Sequence, residues 1–107
     1  MTLEQIKTLV ISVDPNAGHY DSAFHGSDAY TVWFEVQRSG MFADNKRPDK
    51  SWRFQIDRFT KTEGDAVAEA LEAALEAAPG ILYDYAVDYE PDTGYIHHIF
   101  DCQAVGA

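Results

Sequence analysis

"ILYDYAVDYEPDTGYIHHIFDCQAV", Ile81 to Val105, carries the reading of the fold. Tyr83, Tyr85, Val87 and Tyr89 alternate with Asp84, Ala86, Asp88 and Glu90, the period of two that marks a strand. Pro91, Asp92, Thr93 and Gly94 supply turn chemistry, with Pro and Asp early and Gly last. From Tyr95 onward Ile96, His98, Phe100, Cys102 and Ala104 fall on one face of a return strand. Two such runs joined by a tight turn form an antiparallel hairpin.

Upstream, "EGDAVAEALEAALEAA", Glu63 to Ala78, switches to a helical period. Val67, Ala70, Leu71, Ala74 and Ala78 make one stripe and Asp65, Glu69, Glu72 and Glu76 another. Glu63 and Asp65 suit the positive end of the helix dipole, and Pro79-Gly80 stops it. Two further strands precede this helix. "YTVWFEVQ", Tyr30 to Gln37, sets Tyr30, Val32, Phe34 and Val36 against Thr31, Trp33, Glu35 and Gln37, which predicts a core face with Trp33 on the other side. "SWRFQIDRFT", Ser51 to Thr60, sets Trp52, Phe54 and Ile56 against Arg53, Gln55 and Asp57. Its phase slips at Arg58, which predicts a bulge or the strand's end there. Thr2 and Gln5 have capping-box spacing ahead of Leu3, Ile6 and Val10, giving a short N-terminal helix up to Asp14-Pro15. "NAGHYDSAFHGSD", Asn16 to Asp28, shows no period and reads as a loop.

The order α-β-β-α-β-β predicts a single α+β domain over residues 1–107. Its expected form is a mostly antiparallel four-stranded sheet with one amphipathic helix packed on it and the short N-terminal helix beside it. A 46% hydrophobic share and 13% aromatics in 107 residues match one folded core. With no second helix for the opposite sheet face, its aromatics should be covered by a partner, and Trp33, Tyr83, Tyr85, Tyr89 and Tyr95 are the candidate contacts.

Charge narrows the function. Eighteen acidic side chains against eight basic ones give a formal −10, which repels phosphate and argues against reading DNA. No run of apolar residues is long enough to span a membrane, so no membrane partner is expected. Cys102 is alone, leaving no internal disulfide, and its alternating context predicts a small core residue. The histidines His19, His25, His97 and His98 lack metal-ligand spacing, since adjacent His97 and His98 point to opposite faces. Asp84, Asp88 and Glu90 share a strand face, and with Asp57 or Asp101 they could form the acid pair of a small hydrolase or a cation cluster. Period-two spacing yields such a row on any solvated strand, and no nucleophile motif or nucleotide loop accompanies it. The expectation is a non-enzyme with neither cofactor nor metal. A small acidic hydrolase, a metal-binding enzyme and a ligand-binding regulatory module are the alternatives.

Half of the positive charge is concentrated in Lys46, Arg47, Lys50 and Arg53. The first three lie in a connection of about thirteen residues between the strands ending near Gln37 and starting near Ser51, far longer than an ordinary hairpin loop. Copies carrying −10 repel one another, so self-assembly needs local cations at the contact. Met41, Phe42, Lys46, Arg47 and Lys50 are therefore candidate subunit-interface residues, the apolar pair anchoring and the cations choosing the surface.

"YTVWFEV" (30–36), "FADN" (42–45), "WRFQIDRFT" (52–60), the Ala/Glu helix and "YEPDTGYIHHIFD" (89–101) together resemble the tail-completion proteins of long-tailed bacteriophages. These are the small tail-terminator or tail-to-head joining family. The likeness runs from Tyr30 to Asp101 and involves no catalytic motif. It implies an α+β structural protein of the virion, a homo-oligomeric ring of six at the head-proximal end of the tail. That ring would end tail-tube growth and touch the tail tube protein on one side and the head-connector or stopper protein on the other. Genomic DNA would pass through without specific binding, and the protein would be assembled in the host cytoplasm. The resemblance also brings Ala43, Asp44 and Asn45 in the long loop, and Tyr89 to Tyr95 in the last hairpin, into contact with neighbours. A head-completion stopper, another neck component or a minor capsid protein is the nearest alternative.

Overall fold

The computed structural model describes residues 1–39 and 51–104. α1 spans Leu3–Val13, β1 Gly18–His19, β2 Ala29–Ser39, β3 Ser51–Thr60, α2 Ala66–Ala77, β4 Ile81–Glu90 and β5 Tyr95–Ala104. The class is α+β, as the pattern predicts. The sheet, however, has five strands in the order β1-β2-β3-β5-β4 and is mixed, because β1 runs parallel to β2 with Gly18 opposite Val32 and His19 opposite Trp33. Two residues are too few to show a period, which is why residues 16–28 read as a loop. Gly18 is required there by close approach: a Cβ would stand 1.9 Å from the Asp21 carbonyl oxygen. The other pairs are antiparallel, with Trp33, Ile56, Phe100 and Tyr85 in one transverse row.

Both helices cover the same face. α1 begins at the expected capping box, with Thr2 and Gln5 side chains each bonding the other's backbone. α2 starts later than its acidic approach suggests, at the N-cap Asp65, whose carboxylate accepts from the Ala68 amide at 2.9 Å. Ile6 and Val10 of α1 and Leu71 and Leu75 of α2 enclose Trp33, Phe54, Ile56, Phe100, Cys102 and Ala104. The buried stripe of α2 is Ala68, Leu71 and Leu75; Ala70 faces solvent.

Trp33 is thus a core residue, 2% exposed, and not a partner contact. β2 is apolar on both faces, and the side that holds Trp33 is the one the helices cover. The opposite face has its own smaller cluster of Tyr30, Val32 and Tyr95 with Phe34 and Phe59. Tyr30 stacks on Phe59 at 4.7 Å, and Tyr95 meets both rings edge-on. Tyr95 is 7% exposed and its hydroxyl donates to the Ser27 carbonyl oxygen, so it too is structural.

β3 has no bulge at Arg58; its register runs unbroken, and the irregularity lies in β2 between Glu35 and Gln37. Arg58 stays in phase with Ile56 and is buried. Its guanidinium donates to Asp65 at 2.9 and 3.3 Å and to the Thr31 hydroxyl at 3.2 Å, and lies 3.5 Å from Asp14. One cation therefore ties the end of α1 and the start of α2 to the sheet, with its donors partnered as burial demands.

Candidate interaction surface

β4 is an edge strand, and its outer backbone flank has no pairing partner among the described residues. Ile81, 9% exposed, anchors its start in the core, and the strand emerges into solvent from there. α2, twelve residues long, covers about 18 Å, whereas a ten-residue strand runs about 33 Å. The far end of the β4–β5 hairpin consequently projects beyond the helices. Tyr85, Val87 and Tyr89 are 43, 57 and 60% exposed, an apolar row that burial would stabilise and that none of the described residues covers, while Leu82, 68% exposed, stands on the opposite face of the strand.

Two of the tyrosines are tied to neighbours. Tyr83 is half-buried beneath α2 and donates to Glu72 at 3.1 Å. The Glu76 carboxylate, burial and Glu72 together push its phenol pKa well up. Tyr85 bonds His98 Nδ1 at 2.6 Å. Burial pulls the His98 pKa below its ordinary value, and nearby Arg58 adds to the effect while Asp65 opposes it. Tyr89 has no such tie and is the most exposed aromatic of the hairpin.

The other side chains of β4 form an acidic row. Asp84 and Asp88 are exposed, and neither has an ion-pair partner among the described residues. Neighbouring acids on the same sheet face are already engaged. Asp101 pairs with Arg53 at 3.2 Å, and Asp57 accepts from Gln55 at 2.8 Å. His97 lies between Asp57 at 3.4 Å and Glu90 at 3.6 Å, its ring stacked on Phe59. Asp57 and Asp101 are thus held by structural partners, while Asp84, opposite Asp101 in register, and Asp88 are exposed on the edge strand. Among the described residues, no three His, Cys, Asp or Glu side chains come together as metal ligands, and no helix is long and apolar enough to cross a membrane.

At the opposite edge, Glu35 accepts from Tyr20 at 2.5 Å and lies 2.6 Å from His19, which stacks between Tyr20 and Trp33. Burial raises the Glu35 pKa, but the bonds from Tyr20 and His19 outweigh it and hold the carboxylate below its usual range. Tyr20 has a φ of 69°, a left-handed conformation unusual for a bulky residue, held here by its ring contacts and by the hydrogen bond its backbone N–H donates to the Trp33 carbonyl oxygen. Periodicity gave no hint of this cluster. Its one sequence signal was a glycine followed by two rings, Gly18-His19-Tyr20.

Met41, Phe42, Asp44, Asn45, Lys46, Arg47 and Lys50 lie outside the described residues. Their tethers are fixed nonetheless, since Ser39 and Ser51 pair with each other at one end of the sheet.

No protein-family model and no curated protein matches the chain. Among solved structures, the fold matches a chain from the virion of a native gene transfer agent particle, with a TM-score of 0.56 and 13% identity over 96% of this chain and 89% of that one. At that identity the likeness establishes a shared fold, which extends over nearly the whole of both chains.

Proposed function

We propose that this protein is a structural component of a phage-like virion, a tail terminator that forms a ring, six copies in the reading by resemblance, where tail meets head. The observation that carries the proposal is the near-complete fold correspondence with a chain of a gene transfer agent virion. It joins the tail-completion pattern of Tyr30 to Asp101. The exposed apolar row on an unpaired edge fits a protein that works by being covered. In this role the ring caps the tail tube protein, offers its other side to the head-connector or stopper protein, and lets DNA slide past a wall whose formal −10 per copy repels phosphate. Function then lies in saturating binding surfaces, with no reacting residue.

Cryo-electron microscopy of authentic particles tests the reading. A ring of this chain between tube and connector is the expected result. Density at the connector's head side would assign it as a stopper instead, in the capsid wall as a minor capsid protein, and its absence from the particle would refute the virion role.

A further inference from the structure

Asp84 and Asp88 of β4 are exposed with no ion-pair partner among the described residues, which raises the question of which cations neutralise them. Lys46, Arg47 and Lys50 are the densest positive charge in the chain, and their reach is set by covalent geometry. Lys46 is five residues from Ser51, about 18 Å at full extension. By register, Tyr95 pairs with Glu90 and Ile96 with Thr60, so Glu90 lies ten residues along and two strands across from Ser51. That separation is roughly 34 Å. The remaining gap of about 16 Å exceeds the length of the two side chains, roughly 10 Å together. Asp88, roughly 28 Å away, would be met only by a fully stretched chain, at a heavy cost in conformational entropy. Covalent reach therefore allows these cations to meet Asp84 of their own β4 but not Glu90; at the far end Glu90 has His97 at 3.6 Å, and Asp88 has no ion-pair partner among the described residues.

We propose that the far half of β4, from Tyr85 to Glu90, receives the Met41–Lys50 segment of a second copy. The proposal rests on the ring reading above and names the surface that closes it. Charge selects the occupant: Asp88 and Glu90 meet the cations, while Val87 and Tyr89 offer apolar contact to Met41 and Phe42. Ser39 and Ser51, from which the donor segment departs, and the receiving half of β4 lie at opposite ends of the sheet, so the contact joins two different patches head-to-tail and can repeat around a ring instead of ending at a dimer. The unpaired backbone of β4 adds hydrogen-bonding capacity to the same surface.

The test is a charge swap, read by size-exclusion chromatography with light scattering at about 0.15 M salt. Asp88→Lys/Glu90→Lys should weaken assembly at least about tenfold in concentration. Adding Lys46→Glu/Arg47→Glu/Lys50→Glu to the same chain should restore it. Tyr89→Ser, which leaves charge unchanged, should weaken it independently, and thermal unfolding shows that each variant is folded. Folded Asp88→Lys/Glu90→Lys protein that assembles like wild type, or a swap that fails to rescue, overturns this edge assignment and leaves the ring reading standing. Wild-type protein that stays monomeric both in solution and in authentic particles refutes the ring reading and this inference with it.

Discussion

Replacing Arg58 by Met keeps much of the stem's volume and removes the charge, which isolates what the guanidinium does. Its side chain is 8% exposed, and those of Asp65 and Asp14 are 11 and 12%. Taking away the cation strands two nearly buried carboxylates, and breaking a buried pair by removing one partner costs about 3–5 kcal/mol. That is a large share of the about 5–15 kcal/mol that hold a domain of this kind together. At about 2.1 cal/mol/K of unfolding entropy per residue, 3 kcal/mol lowers the Tm of a 107-residue chain by about 13 °C. Asp65→Asn keeps an acceptor for the Ala68 amide and so preserves most of the cap. In the double variant the stranded charge on Asp65 is gone, so the two losses should fall short of additivity by at least about 1.5 kcal/mol. Urea unfolding followed by circular dichroism, with the m-value held constant, measures all three. A cost below about 1 kcal/mol for Arg58→Met, or additivity within about 0.5 kcal/mol, would refute the view that this cation locks both helices to the sheet.

Stability should fall as pH drops from 7 toward 5: His98 has a folded pKa below its unfolded value, so in that window the unfolded chain binds the proton first. His98→Gln should flatten this part of the profile, while the further loss below about pH 4, where the depressed carboxyls of Asp65 and Glu35 take up protons, should remain. Gly18→Ala drives a Cβ into the Asp21 carbonyl and should cost about 1–3 kcal/mol, with hydrogen exchange at the Tyr20 amide accelerated as β1 lifts from Trp33. Cys102 is 1% exposed with its thiol pushed up to about 12 by burial, so its alkylation by iodoacetamide should track global unfolding; native-state reaction at the rate of a free thiol would contradict its place in the core.

What was legible in the sequence is what periodicity controls: the hairpin of β4 and β5, the amphipathic α2, the capping box of α1. Periodicity separates a strand's two faces without saying which one is covered. β2 shows why, for Tyr30 and Val32 look as apolar as Thr31 and Trp33, and only the docking of both helices decides that Trp33 is the deeper residue. Arg58 was misread for a related reason. A cation in phase with Ile56 breaks the apolar rhythm and resembles a bulge, yet its partner Asp65, seven residues on, stands where the sequence puts acids at the positive end of the helix dipole, and the structure makes it the N-cap. A charge in a core phase beside a capping acid signals a buried ion pair as readily as a slipped strand. β1 was invisible because two residues carry no rhythm, and its clue was steric, a glycine where no Cβ fits. The same distinction applies to β4. Its alternation identifies a strand, but exposure of both its rows arises only from being at the sheet's edge and outrunning α2. Edge position is a property of topology, so the strand left open for pairing is set by the order of strands and the shortness of one helix, neither of which a local period can express.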